Sequence, residues 1–115
     1  MAITIISQTE GLTGKDIYLM TRSPALIKLS TIKDTTIRVS AYVLYDDEKT
    51  TREGEIKNTK ILAIRTSDGK LYATNSNTFI DEFMYIVELF GLDSPIRVIG
   101  GTSRSGRNYI TCSIE

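Results

Sequence analysis

Apolar and polar positions alternate with a two-residue period over most of the chain, and one stretch switches to a helical period. Residues 36–45 set Ile37, Val39, Ala41, Val43 and Tyr45 on one face and Arg38, Ser40, Tyr42 and Leu44 on the other, as a strand requires. Residues 57–67 and 70–75 form two more strand-like runs around Asp68-Gly69, a dipeptide that predicts a hairpin with positive φ at both turn residues. Residues 96–101 and 108–114 pair in the same way around the small, polar segment 102–107. Between the two hairpins, Phe79, Ile80, Phe83, Ile86, Val87 and Phe90 recur as the stripe of an amphipathic helix, predicted over 78–90. Thr78 with Asp81 predicts a capping box at its start. Gly91 supplies a left-handed stop, and Pro95 bars resumption. Residues 2–7, 16–20 and 25–29 read as short strands separated by Gly11, Gly14 and Pro24. They would pad the sheet, cover an edge or mediate self-association.

From residue 36 onward the predicted order is strand, strand, strand, helix, strand, strand. That is the connectivity of an OB-fold, a five-stranded Greek-key barrel with one helix between its third and fourth strands. The predicted fold class is therefore mainly β. Residues 1–115 form one OB-fold-like domain, in which 1–33 supply additional N-terminal strands and 34–114 the barrel with its helix. No repeat or linker divides the sequence, and 115 residues suit a single core.

Composition removes function classes. The chain has no His and one Cys, so His-based acid/base chemistry, Ser-His and Cys-His nucleophiles and a structural zinc site are all out of reach. No metal, no cofactor and no catalytic residue is expected. Asp46, Asp47 and Glu48 are adjacent, which sends neighbours to opposite faces of a strand and pairs no carboxylates. Apolar runs are too short for a membrane helix, the N-terminus lacks a basic signal region, and Cys112 has no partner, all of which lead to a cytoplasmic expectation.

Fourteen basic residues balance fourteen acidic ones, but the charge is segregated. Residues 78–93 carry Asp81, Glu82, Glu88 and Asp93 without a base. Residues 57–75 carry Lys57, Lys60, Arg65 and Lys70 against Asp68, and residues 95–114 carry Arg97, Arg104 and Arg107 without an acid. With a Debye length of about 8 Å, a basic face attracts phosphate although the whole molecule is neutral. Every Phe lies in the predicted helix, whereas Tyr42, Tyr45, Tyr72 and Tyr109 lie in predicted strands, Tyr109 alternating with Asn108, Ile110, Cys112 and Ile114 and so facing outward. Aromatic rings beside Lys and Arg are what a single strand requires, bases stacking on the rings and cations following the backbone. The candidate contacts are Tyr72, Tyr109, Tyr45 and Tyr42 for bases and Lys60, Arg65, Arg97, Arg104 and Arg107 for phosphates.

Two segments carry a resemblance. Thr66-Ser67-Asp68-Gly69-Lys70-Leu71-Tyr72, the helix after it, and Gly101-Thr102-Ser103-Arg104-Ser105-Gly106-Arg107-Asn108-Tyr109 resemble the single-stranded-DNA-binding proteins of protein-primed, φ29-like phages infecting Gram-positive bacteria. The resemblance covers residues 34–114. It implies an OB-fold protein that coats displaced strands during phage genome replication, in the host cytoplasm, with Tyr72 and Tyr45 touching DNA. For Tyr45 that role conflicts with its strand parity, and a bulge near Asp46-Asp47 would reconcile the two.

The expected partner is single-stranded DNA, with RNA left open because stacking on tyrosine is indifferent to the sugar. An unpaired strand in residues 2–29 would support a homodimer. The competing class is a small β-barrel interaction or virion module without nucleic-acid binding.

Overall fold

The computed structural model describes residues 2–23, 25–92, 95–102 and 104–114. Pro24, expected as a break, Asp93 in the acidic count and Ser103 in the final loop lie outside them. The elements are β1 (Ala2–Gln8), α1 (Gly14–Arg22), β2 (Ile27–Lys28), a 3-10 turn (Leu29–Thr31), β3 (Thr36–Ile37), β4 (Val39–Thr50), β5 (Ile56–Thr66), β6 (Leu71–Thr74), α2 (Asn77–Phe90), β7 (Ile96–Thr102) and β8 (Asn108–Ile114).

The fold is mainly β, and the strand–strand–strand–helix–strand–strand order runs from β4 to β8. The strands form two sheets, however, β1-β4-β5-β6-β2 and β3-β7-β8, and not a closed barrel. Backbone continuity joins the sheets on one side, because β3 pairs with β7 while β4, one residue later, pairs with β5. On the other side no ladder pairs β6 with β8 among the described residues. The N-terminal third explains this. β2 runs parallel to β6 and takes its free edge, Ile27 opposite Tyr72, while β1 takes the edge of β4. Closure of the sheet would need edges that are already occupied.

The expected strand at 16–20 is instead the helix α1. Its signal is a capping box: Thr13 Oγ1 accepts from the Asp16 amide at 3.1 Å, and the Asp16 carboxylate accepts from the Thr13 amide at 3.0 Å. Leu12, Ile17 and Met20 then dock on Ala41, Val43, Tyr45 and Ala63, so β4 is buried on both faces.

The expected faces of residues 36–45 are corrected too. Ser40 is an extra residue between the pairs Val39↔Thr66 and Ala41↔Arg65, and one extra residue reverses which face follows. Ile37 and Val39 therefore share the main core with Tyr42 and Leu44, while Ala41, Val43 and Tyr45 face α1. The β4–β5 register then runs unbroken from Ala41 to Thr50, so the bulge expected near Asp46-Asp47 is absent.

The main core lies between the sheets and is filled from α2. Phe79, Ile80 and Phe83 are fully buried there, each stabilising the fold by about 1.5–3 kcal/mol relative to exposure. The helix is capped by Ser76 in place of the expected Thr78–Asp81 box. Ser76 Oγ accepts from the Phe79 amide at 3.3 Å and donates to the Ile110 carbonyl of β8 at 3.1 Å, which fixes the helix start on the second sheet. Gly91 ends α2 with φ of 77°, as its sequence position predicts. At Asp68-Gly69 only Gly69 takes positive φ (85°). Asp68 keeps ordinary φ and accepts from the Thr66 hydroxyl, which holds its carboxyl below the usual carboxylate range.

Candidate nucleic-acid interface

The unpaired side between β6 and β8 is an open groove of about 570 Å³. It is lined by Lys28, Ser30, Lys33, Ile61, Ala73, Thr74, Asn75, Ser76, Asn108, Tyr109 and Ile110. Two lysines and no carboxylate line it. A second groove of about 540 Å³ lies along α2 against Tyr42, lined by Asp81 and Glu88 with no base. The lysine-lined groove and the acidic groove along α2 are thus separate surfaces, and a polyanion is attracted to the lysine-lined one and repelled by the acidic one.

The lining residues are held by short-range interactions. Lys28 sits on β2 opposite Ala73, and its carbonyl accepts from the Thr31 hydroxyl at 2.7 Å. Leu29, fully buried, anchors the turn that follows. Asp34 takes φ of 64°, a left-handed conformation that Asp tolerates better than most side chains. Its amide donates to the Val98 carbonyl at 2.7 Å, so the Lys33-Asp34 turn is tied to β7. Lys33 then lays its aliphatic stem across Gly100, where an added Cβ would stand 2.5 Å from Lys33 Cδ. One residue on, the Tyr109 ring covers Gly101, where a Cβ would stand 2.5 Å from Tyr109 Cζ. At both positions glycine lets a side chain lie directly on the backbone, and a Cβ there would push that side chain aside.

Tyr109 faces outward as its parity predicts, 39% exposed, while Ile110 and Cys112 point into the core. The other three tyrosines do not match the exposed set expected of them. Tyr72 is 6% exposed and Tyr42 7%, both in the main core. The Tyr42 ring meets Phe83 edge-on at 5.6 Å, and its hydroxyl lies 2.9 Å from Ser7 Oγ. Tyr45, 5% exposed, lies under α1, where burial and the Asp47 charge push its phenol above the ordinary range. The reasons differ: the extra residue Ser40 turns Tyr42 into the main core against Phe83, Tyr72 shares that core, and α1 covers Tyr45.

The cations divide in the same way. Arg104 and Arg107 are exposed in the β7–β8 connection, next in sequence to the groove residues Asn108 and Tyr109. Lys60 is exposed on β5, opposite Asp46 and just before the groove residue Ile61. Arg65 pairs with Asp16 at 3.2 Å, and Arg97 with Asp34 at 3.8 Å. Both are countered by carboxylates from the N-terminal third. Sequence reasoning missed Lys28 and Lys33. Their signal was a basic pair in and just after the expected strand 25–29, and only the fold brings that segment to β8.

Among the described residues no group of His, Cys, Asp and Glu could hold a metal ion. No described helix is long and apolar enough to cross a membrane. No curated protein and no solved structure matches the chain. The exposed tyrosine, the groove without carboxylates and the hairpin motifs accompany one family match, described as Phage Single-stranded DNA-binding protein, of the phi29 type; it covers residues 19–115, and the chain belongs to that family of non-enzymatic single-stranded DNA binders.

Proposed function

We propose that the protein coats single-stranded DNA without regard to sequence, protecting strands displaced while a phage genome is copied in the cytoplasm of its host. The observation that supports this most is Tyr109, an exposed ring on a groove lined by lysines and no acids, in a chain whose family binds single-stranded DNA. Bases stack on Tyr109, and Arg104, Arg107 and Lys60 neutralise phosphates. Stacking uses the π-face that every base has, so it carries no sequence preference. Arg65 and Arg97 reach phosphate only by leaving Asp16 and Asp34. Tyr42, Tyr45 and Tyr72 reach a base only if the core around them opens; otherwise they act by holding the sheets that carry Tyr109. The matching fold reading is an OB-type barrel left open along the β6–β8 side. Self-association, where it occurs, uses β1, an uncharged edge strand with exposed Ile5 and Ile6.

Competition experiments test the reading. Oligo-dT, oligo-dA and oligo-dC should displace a labelled strand at similar concentrations, duplex DNA should compete poorly, and oligo-U reports the sugar preference. Equal competition by duplex would overturn it.

A further inference from the structure

We propose that the N-terminal segment supplies phosphate contacts of its own, with Lys28 and Lys33 carrying the single strand through the β6–β8 groove. This rests on the single-stranded DNA reading above and extends it to residues outside both basic hairpins.

Four observations lead there. The groove exists because β2 occupies the β6 edge, so the segment that opens it also lines it. Both lysines are exposed and no acid shares the lining. Their backbones are held, Lys28 by its ladder position and the Thr31 hydroxyl, and Lys33 by the amide of Asp34 on Val98. The Lys33 stem also lies across the bare backbone of Gly100, which places its amine beside β7 at the groove. The same groove reaches Asn108 and Tyr109, where the loop carrying Arg104 and Arg107 ends. A strand crossing the Tyr109 ring therefore has a continuous cationic path, the arginine loop on one side and the two lysines on the other. Arg65 and Arg97, which a count of charges places in that path, are paired with carboxylates instead.

The test is oligo-dT binding as a function of salt for the full chain and for Lys28→Gln, Lys33→Gln and the double variant. Each phosphate contact on a single strand contributes about 0.7 to the slope of log K against log salt, so the double variant should lose about 1.4. At about 0.1 M salt this is a loss of roughly 25-fold relative to the wild type, shrinking towards none near 1 M. Lys15→Gln on α1, which lines no part of the groove, should leave the slope unchanged. Lys33→Arg should restore it. A wild type that binds oligo-dT beside a double variant of unaltered slope overturns the lysine track and leaves the single-stranded DNA reading standing. A wild type without affinity for oligo-dT at low salt overturns both.

A second measurement needs no variant. Amine acetylation of the wild-type protein, read by mass spectrometry, should show Lys28 and Lys33 protected by oligo-dT and Lys15 unprotected. Equal labelling of all three with and without oligo-dT contradicts the proposal.

Discussion

Replacing Tyr109 and Tyr72 in turn by Ala separates stacking from packing, because the two rings have opposite surroundings in one molecule. Tyr109 is 39% exposed and lies on the backbone of Gly101, so its removal leaves no cavity in either core cluster. If a base stacks on it, about 1–3 kcal/mol of binding is lost, a fall in oligo-dT affinity of about 5- to 150-fold. The melting temperature should move little. Tyr72 is 6% exposed and packed in the main core, opposite Ile64 on β5 and Ile27 on β2. Truncating an aromatic ring of that kind costs about 3–5 kcal/mol of stability. For a domain of this size that lowers the melting temperature by about 10 °C or more. Fluorescence titration with oligo-dT and thermal melting by circular dichroism, run on both variants, read the two effects. A Tyr109→Ala protein that melts normally and binds within about twofold of wild type would refute the stacking role. A Tyr72→Ala protein that keeps its melting temperature and loses binding would refute the assignment of Tyr72 to the core.

Three further outcomes follow from local chemistry. Cys112 is buried, and burial together with the Glu82 charge pushes its thiol up to about 12, so the native protein should resist a disulfide reagent at pH 8 that labels the unfolded chain at once. Asp16 is held below the usual carboxylate range by the Thr13 amide, the Thr13 hydroxyl and Arg65. A carboxyl lowered on folding adds stability above its unfolded pKa and loses it as pH falls through the folded one; the melting-temperature gap between wild type and Asp16→Ala should therefore be widest above about pH 5 and close towards pH 2. Pairing of two copies along β1 predicts a light-scattering mass near twice 12.8 kDa at micromolar concentration, and a strictly monomeric result removes it.

The part of the fold that rests on local pattern was legible in the sequence. The stripe from Phe79 to Phe90 specified α2, Gly91 its end, and Asp68-Gly69 a hairpin, because each feature has its cause within a few residues. The resemblance carried by the Tyr72 hairpin and the Gly101–Tyr109 segment led to the correct family. What failed was set by distant partners. Ser40 carries no sign of a bulge, since the extra residue is defined by what β5 places opposite it, and that single residue inverted the reading of Tyr42. The capping box at Thr13 and Asp16 was readable, but Ile17, Tyr18, Leu19 and Met20 also fit a strand, and only docking on β4 decides for a helix. The same segment decided the site. Sheet-edge capture by β1 and β2 turned an expected barrel into two sheets with a lysine-lined groove, and of the four strand tyrosines only Tyr109 is exposed. Arg65 and Arg97 read as basic from counts alone because their carboxylates, Asp16 and Asp34, lie 49 and 63 residues earlier in the chain.

Affinity for oligo-dT measured across salt tests the central claim most directly. If each of about five cations (Lys28, Lys33, Lys60, Arg104 and Arg107) contacts one phosphate, the slope of log K against log salt is about −3.5, and affinity falls roughly 130-fold between about 50 and about 200 mM. Binding that weakens on that scale is the predicted result. No binding at low salt, or binding indifferent to salt, would contradict the account.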